Sequence, residues 1–556
     1  MGGTNVPPTP AHFSPWTCAH CPLMFETVVC RYNKSVMKRR LFAIAMISCL
    51  CPTLVAGAQE TQGTTPPPPA NPPTVSATAN EADALRAFQA GVAAYRKGDF
   101  PVAETELARA AAAMPESGDV QGWYGFILLK RNKPVDAIAP LEKAISLKPR
   151  IADHCTNLGN ALLLKPGRTP ADTTRALEMF KKATEIDSGS GEAQFNLGLA
   201  YTRLDRPRDA VQAYRKATVI SPKDDRAFLA LAQTYVGLGD YDSASAAFRS
   251  VSELTPQKAD VWTSLGIAES KRFRPDRQVA INALETARKL DGGNAQSLTL
   301  LGKLYADAGQ TEASAEAFGI AADHLEARSA PEAAAVRYNH GVMLAKLGKT
   351  DEALTAYEKS LALKPDYFDP AFNAGTLLYK ARRFPEAAAK FALATKSNPR
   401  SPMAWTNYGL ALSQVSDEPG TIAAWKRAAN LKDDDYVTRD ALAGIYMRRK
   451  SYDDAIALYK QMARIRPASG LPWNALGLAY QRKSDYEAAI KAFQTATKKE
   501  PKLAAAYNNL GVVYEKRAQF KLAIVAYKKA LAVDPNFADA RANLARYNAK
   551  TSAANP

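Results

Sequence analysis

Small and apolar residues recur along most of the chain with a constant period. Gly91 and Gly125 lie 34 residues apart, and Gly341, Gly375 and Gly409 keep the same step. Self-similarity at a fixed period of about 20–50 residues is typical of chains built from stacked copies of one small unit. From about position 84 onward, the pattern therefore predicts a repeat array.

Each repeat contains two runs of residues with helical spacing. In the repeat 470–503 the first run is Trp473, Leu476, Gly477 and Tyr480, and the second is Ala489, Phe493 and Ala496. Steps of three and four place such residues on one face of a helix. The small Gly477 and Ala489 predict a close approach of the paired helices. Pro501 predicts the end of the second helix, because its ring interrupts the hydrogen-bond ladder.

The order Trp-Leu-Gly-Tyr, then Ala-Phe-Ala, then Pro resembles the tetratricopeptide repeat (TPR). The resemblance covers residues 84–537 and implies an all-α fold, a right-handed α-solenoid of about thirteen helix-turn-helix units. Residues 538–556 are predicted to form a cap helix and a tail. Three repeats exceed the period, and their extra residues, at 165–170, 274–276 and 324–331, are predicted to form loops. The last of them predicts a seam between two sub-arrays near 324–333.

The N-terminal part reads as a targeting sequence. Residues 1–36 have no periodicity, and we interpret them as a mis-assigned upstream segment. Residues 37–58 combine a basic cluster, an apolar run and a small-residue cleavage site, which together predict a signal peptide removed before Gln59. Residues 59–80 are rich in proline and predict a disordered linker. The protein is therefore expected to be exported, either periplasmic or secreted.

Two alternatives for this segment remain open. Cys49 follows a stretch that resembles a lipobox, so an outer-membrane lipoprotein is the alternative location, and membrane attachment is expected only through lipid at this cysteine. An uncleaved anchor is the other alternative, although the apolar run is short for a span and contains Pro52.

Composition limits the possible chemistry. The chain has 72 basic and 55 acidic residues, a formal charge of +17, which suggests anionic partners. The basic residues recur about once per repeat, so nucleic acid is not an expected partner. Cys155 is the only cysteine after residue 51, so the repeats cannot form an internal disulfide.

No motif in the sequence indicates an enzyme, a metal site or a cofactor. His154 and Cys155 are adjacent on a predicted helix, so their side chains diverge, and Cys155 is expected in the core. His340 occupies an apolar position and is expected to be buried and hydrogen-bonded. His324 is expected in a loop. The sequence therefore predicts a non-enzymatic protein.

The TPR resemblance implies a concave groove lined by the first helix of each unit. At its sixth position, which faces the groove in that family, the chain has Asn157, Asn196, Asn339, Asn373, Asn407 and Asn509. Amides can bind a peptide backbone without reading its side chains. At the thirteenth position, Lys346 and Lys380 belong to a set of basic residues, and the aromatic Tyr338, Phe372 and Tyr379 lie nearby in the sequence.

These features predict a protein-interaction scaffold in the bacterial cell envelope. Its expected ligand is a protein or an extended peptide of acidic character, bound in the groove. The alternative is an accessory factor that works with the machinery of polysaccharide synthesis or export, of the cellulose or alginate type.

The first testable prediction concerns export. Mass spectrometry of the mature protein is expected to find Gln59 at its N-terminus, because signal peptidase cuts after a small-x-small motif. A fatty-acylated Cys49 would instead support the lipoprotein, and an intact Met37 would contradict both.

Overall fold

The computed structural model describes residues 79–553. The predicted upstream segment, the signal peptide, Cys49 and residues 59–78 of the predicted linker lie outside the described residues. The last two linker residues belong to the first helix, which begins at Ala79. No helix between residues 79 and 553 has both the length and the apolar composition of a membrane span.

Residues 79–553 form 27 α-helices, and this range contains no strand. The helices are α1 Ala79–Arg96, α2 Phe100–Ala113, α3 Gly118–Lys130, α4 Pro134–Leu147, α5 Ala152–Leu164, α6 Pro170–Ile186, α7 Gly191–Arg203, α8 Pro207–Ile220, α9 Asp225–Leu238, α10 Tyr241–Leu254, α11 Ala259–Lys271, α12 Arg277–Asp291, α13 Ala295–Asp307, α14 Thr311–Glu326, α15 Ala330–Lys346, α16 Thr350–Leu363, α17 Phe368–Lys380, α18 Phe384–Ser397, α19 Pro402–Gln414, α20 Glu418–Leu431, α21 Tyr436–Arg448, α22 Tyr452–Ile465, α23 Leu471–Arg482, α24 Tyr486–Lys499, α25 Ala504–Lys516, α26 Phe520–Val533 and α27 Ala538–Ala553.

From α7 onward, the helices follow one another in space in the order of the chain. From α7 onward, each odd-numbered helix packs on the even-numbered helix after it, and that helix packs on the next odd-numbered one. We call the two members of such a pair the first and the second helix of a unit. Two compact parts are distinguished, of which one ends at Asn157 and the other begins at Leu158. The all-α, TPR-type solenoid fold predicted from the sequence is thereby confirmed.

The two helices of a unit approach closely at a glycine. A Cβ atom added to Gly477 would lie 2.5 Å from Cε1 of Phe493, which is itself fully buried on the second helix. The same relation joins Gly198 to Tyr214, Gly341 to Tyr357, Gly375 to Phe391 and Gly511 to Tyr527. The predicted close approach is confirmed, and its reason is that a ring or a leucine fills the space over the glycine.

In all but one of the described units, the turn between the two helices contains one residue in the left-handed region, and the turn between α11 and α12 has none. At this position Gly348 has a φ of 75°, whereas Ala518 has a φ of 57°. Other residues with a side chain at the equivalent place are Asn132, Asp205, Arg382, Ser416, Lys450 and Ser484. A Cβ atom in this region crowds the following carbonyl, at a cost of about 1–2 kcal/mol. The packing of the flanking helices therefore imposes the turn even where the residue resists it.

The long repeats are accommodated in two different ways. Residues 165–169 form a loop between α5 and α6, as predicted, and the Lys165 ammonium donates to the Asp172 carboxylate over 2.8 Å. Near 324–331, the prediction of a loop is wrong, since α14 continues to Glu326 and α15 starts at Ala330. His324 thus lies in the last turn of a helix. The extra residues lengthen both helices, because Arg337 on α15 forms ion pairs with Asp323 and Glu326 on α14.

One hydrophobic cluster includes residues on both sides of the predicted seam at 324–333. This cluster extends from Leu298 to Ala424 and includes Ala321, Ala322 and Val336 from the two lengthened helices. The core of these units is therefore not interrupted at that point.

A comparison of two glycines tests the helix contact. Gly477→Ala is expected to lower stability, because the overpacking penalty of about 1–3 kcal/mol exceeds the gain in helix propensity of about 1 kcal/mol. The control is Gly444→Ala, in the first helix of the preceding unit, where an added Cβ meets nothing within 4 Å. It is expected to raise stability. Urea unfolding followed by circular dichroism measures both, and a shift in the same direction would contradict the packing.

The turn residue provides a second matched pair. Ala518→Gly is expected to stabilise the protein by about 0.5–1 kcal/mol, because relief of the left-handed strain outweighs the added freedom of the unfolded chain. Gly348→Ala is expected to destabilise it by a similar amount, although an added Cβ would meet no atom there within 4 Å. Thermal unfolding measures the change in stability of both variants. Changes of the same sign would show that the turn is not strained.

Candidate functional site

Several first helices of consecutive units contact each other directly in the larger compact part. Direct contacts join α11 to α13, α15 to α17, α17 to α19, and α23 to α25, each pair consisting of first helices from consecutive units. Most predicted site residues lie on these helices or on α7, while Asn157 lies on α5 in the smaller part. We call this surface the first-helix face.

Some of the predicted asparagines connect consecutive units. The Asn373 amide donates from Nδ2 to the Tyr338 hydroxyl over 3.1 Å, and the Asn509 amide donates to Oδ1 of Asn474 over 3.0 Å. In both cases the donor stands 35 residues after its acceptor. The sixth-position amide thus binds the residue just before the sixth position of the preceding unit. Part of its hydrogen-bonding capacity is already used inside the protein.

Sequence reasoning named Tyr338 as a groove residue but missed the asparagine acceptors of such bonds. The same bond recurs from Nδ2 of Asn543 to Oδ1 of Asn508, also over 3.0 Å. A polar residue immediately before the sixth position was the signal that could have revealed the arrangement. Asn474 and Asn508 are therefore additional amides of the first-helix face.

The six predicted asparagines differ in exposure. Asn157, Asn339, Asn373 and Asn509 are half-buried, whereas Asn196 and Asn407 are buried, with 4% and 9% of their surface exposed. Nδ2 of Asn196 has no hydrogen-bond partner among the residues that the structure describes. The sixth position therefore does not present a uniform ladder of amides to solvent.

The predicted aromatic residues are wedged between helices. Tyr338 lies 5.6 Å from the ring of Tyr367, and Phe372 lies 5.7 Å from Phe391. Tyr379 contacts Phe384 at 5.2 Å between ring centroids. Burial raises the pKa of the Tyr338 hydroxyl, and the nearby Asp369 adds to this effect. These half-buried rings therefore belong in part to the core, and only part of each is open to a ligand.

Basic residues at the thirteenth position remain unpaired over the last units. Lys346 and Lys380 are exposed, and so are the equivalent Arg448, Arg482 and Lys516. Among residues 81–547, no ion pair involves these five. After the last three of them the next residue is also basic, and it behaves differently. Arg449 pairs with Glu418 at 3.6 Å, Lys483 with Asp453 at 2.6 Å, and Arg517 with Glu487 at 2.6 Å.

Two basic residues that are neighbours in the sequence thus differ in pairing: the one at the thirteenth position is unpaired, and the one after it forms an ion pair. The second kind is neutralised by a carboxylate on the second helix of the preceding unit, so only the first is available to an external anion.

In earlier units the basic residue at the thirteenth position has contacts inside the protein. Arg203 donates to the Leu163 carbonyl over 3.2 Å, and burial lowers its guanidinium pKa; Lys271 lies 5.2 Å from the Tyr241 ring.

The histidines and the cysteine were tested by burial. Cys155 is fully buried, which confirms its packing role, and His154 is 7% exposed. His340 is half-buried, and its Nδ1 has no hydrogen-bond partner among the described residues, so the hydrogen bond expected for that nitrogen is not found. Burial lowers the His340 pKa, with the nearby Arg337 as a second cause. In the described range no group of three or more His, Cys, Asp or Glu residues is placed to hold a metal ion.

Family comparisons bear directly on the repeats. Tetratricopeptide repeat models match residues 88–150, 171–225, 203–266, 299–368, 372–415, 438–472 and 504–537, and a TPR repeat model matches 482–517. The chain belongs to the tetratricopeptide-repeat family. TPR proteins are generally scaffolds for protein interactions.

Relatives match only part of the chain. Superkiller complex protein 3 of Mus musculus is 22% identical over 280 residues, which are 50% of this chain and 18% of the relative. BBSome complex member bbs-4 of Caenorhabditis elegans is 22% identical over 284 residues, 50% of this chain and 59% of the relative. The peroxisomal targeting signal receptor of Kluyveromyces lactis is 25% identical over 207 residues, which are 36% of this chain and 35% of the relative. The chain thus spans less than two thirds of these relatives.

Solved TPR structures resemble segments of the array. MamA protein is 25% identical and covers 32% of this chain and 94% of its own, with a TM-score of 0.28. YrrB, described as a TPR protein with an unusual peptide-binding site, is 22% identical. The match covers 34% of this chain and 95% of YrrB, with a TM-score of 0.30.

Proposed function

We propose that this TPR protein is a non-enzymatic scaffold that binds an extended acidic segment of a partner protein along its first-helix face. The proposal rests on the difference in pairing between two adjacent basic residues at the end of the first helices. Arg448, Arg482 and Lys516 lack an internal partner, whereas the basic residue after each is neutralised. One cation per unit is thus left for an anionic ligand.

The spacing of these cations suits an extended ligand. They recur every 34 residues, so a chain running along the first helices meets one cation in each unit. A single exposed ion pair contributes only about 0.2–1 kcal/mol, but a row of them also speeds association with an oppositely charged partner. Acidic side chains placed at intervals are the chemistry that this row can recognise.

Amide pairs on the same face can hold the ligand backbone. An amide has two donor hydrogens and an acceptor oxygen. In the pair of Asn474 and Asn509, one donor and one acceptor are joined to each other, which leaves Nδ2 of Asn474 to donate and Oδ1 of Asn509 to accept. A peptide group presents the matching carbonyl and N–H.

The proposed setting is the cell envelope of a bacterium. Residues 37–58 support it, since they combine the three parts of an export signal in order. Crosslinking in intact envelopes tests this setting, and enrichment of glycan or of synthase subunits would favour the polysaccharide alternative.

The groove is tested with a matched pair of triple variants. The first changes Arg448, Arg482 and Lys516 to Gln, and the control changes Arg449, Lys483 and Arg517 to Gln. Both remove three charges at adjacent positions of the same units. Fluorescence anisotropy measures binding of labelled extended peptides rich in Asp and Glu, with the Asn and Gln versions as a reference.

The first variant is expected to lose about tenfold in affinity at low salt, because three contacts of about 0.2–1 kcal/mol are removed. The control is expected to stay within about twofold, since its cations are already paired. Lys346→Gln with Lys380→Gln extends the test to the earlier units. Equal losses of affinity in the two triple variants would show that only the net charge matters. Unchanged affinity in both would show that the peptide does not bind on the first-helix face.

A further inference from the structure

The even spread of basic residues predicted from the sequence does not hold near the C-terminus. Residues 486–533 contain nine basic and three acidic residues, a net charge of 9 − 3 = +6 within a chain of net +17. This segment includes α24 and α26, the second helices of two consecutive units. The excess of cations therefore concentrates on helices other than those of the first-helix face.

The few acidic residues of this segment are engaged internally. Their partners are the Arg517 guanidinium for Glu487, the Gly470 N–H for Glu500 and the Arg546 guanidinium for Glu515. Lys521, Lys528 and Lys529 on α26 are exposed, and no ion pair within residues 81–547 involves them. The positive charge of α26 is therefore not compensated by the protein.

The outward side of α26 combines these lysines with apolar side chains. Ala523, Ala526, Tyr527 and Ala530 are buried and turn one side of the helix to the core. On the other side, Leu522 is 48% exposed and Val525 is 50% exposed, among Lys521, Lys528 and Lys529. Residues 521, 525, 528 and 532 follow steps of four, three and four, so they share one side of the helix.

A basic helix side with exposed aliphatic residues suits the surface of an anionic bilayer. Lysine ammonium groups reach lipid phosphates while their aliphatic stems cover apolar surface. Leu522 and Val525 leave water when they enter the headgroup region. Nucleic acid fits this surface less well, because single-stranded binders stack bases on free aromatic rings, and Phe520, the exposed ring of α26, already packs against Tyr547.

We propose that the outward side of α26 docks the protein on the surface of an anionic lipid bilayer. The contact is peripheral and uses Lys521, Lys528 and Lys529 for lipid phosphates and Leu522 and Val525 for the headgroup region. It involves a second helix, so it is independent of peptide binding on the first-helix face. A scaffold docked in this way keeps its first helices available to a partner.

Vesicle co-sedimentation of the full-length chain tests this proposal. One set of vesicles is phosphatidylcholine alone. The other contains phosphatidylcholine with about one third of the anionic lipid phosphatidylglycerol. The test variant changes Lys521, Lys528 and Lys529 to Gln. The control changes Lys143, Lys258 and Lys483 to Gln, which removes the same charge from lysines already paired with Glu116, Asp225 and Asp453. Any contribution of the N-terminus is common to all variants.

The wild type and the control are expected to bind anionic vesicles and to bind neutral ones much less. The test variant is expected to lose at least about tenfold in partitioning, since each lysine near an anionic surface contributes on the order of fivefold. Leu522→Gln with Val525→Gln is expected to weaken binding at high salt, where the apolar part dominates.

Four results would overturn the proposal. These are no binding of the wild type to anionic vesicles, equal binding to neutral vesicles, equal losses in the two triple variants, and a tighter lysine-dependent affinity for duplex DNA than for the vesicles. Circular dichroism of each variant separates a loss of binding from a loss of fold.

Discussion

The contact between a glycine of the first helix and a ring or leucine of the second is the constraint on which the array depends. At Gly477 the absent side chain is replaced by Phe493, so the helices can approach until the ring lies on the backbone. This contact recurs in most units, and the remaining units have the small Ala232 or Ala443 at the same position. A small residue at the crossing therefore keeps the two helices of a unit close together.

In the last units, equivalent positions of the repeat have similar environments. The position after the end of the first helix meets a carboxylate from the preceding second helix, as Lys483 meets Asp453. The position before it, occupied by Arg482, lies away from that carboxylate and stays exposed. Two neighbouring cations thus differ in function because of a rotation of about 100° along one helix. The left-handed turn is fixed in the same manner, whatever residue occupies it.

Much of the fold was predictable because its determinants are local. The period, the helix faces and the small residues at the crossings are all visible in the sequence, and they gave the all-α repeat fold. The helical extension through His324 was not visible. It depends on Arg337 forming ion pairs with Asp323 and Glu326, which stabilise a turn that the spacing alone assigns to a loop. The site was predictable only as a set of positions on the first helices.

The sequence by itself determined where side chains recur, and so which residues share the first helices. Only the tertiary structure decided what those side chains contact. Asn509 donates to Asn474, and Lys516 is unpaired while Arg517 is neutralised, because residues 30–35 apart in the chain are brought within hydrogen-bond reach by stacking of the units. A distance of this kind depends on the packing of several helices, and no local pattern encodes it.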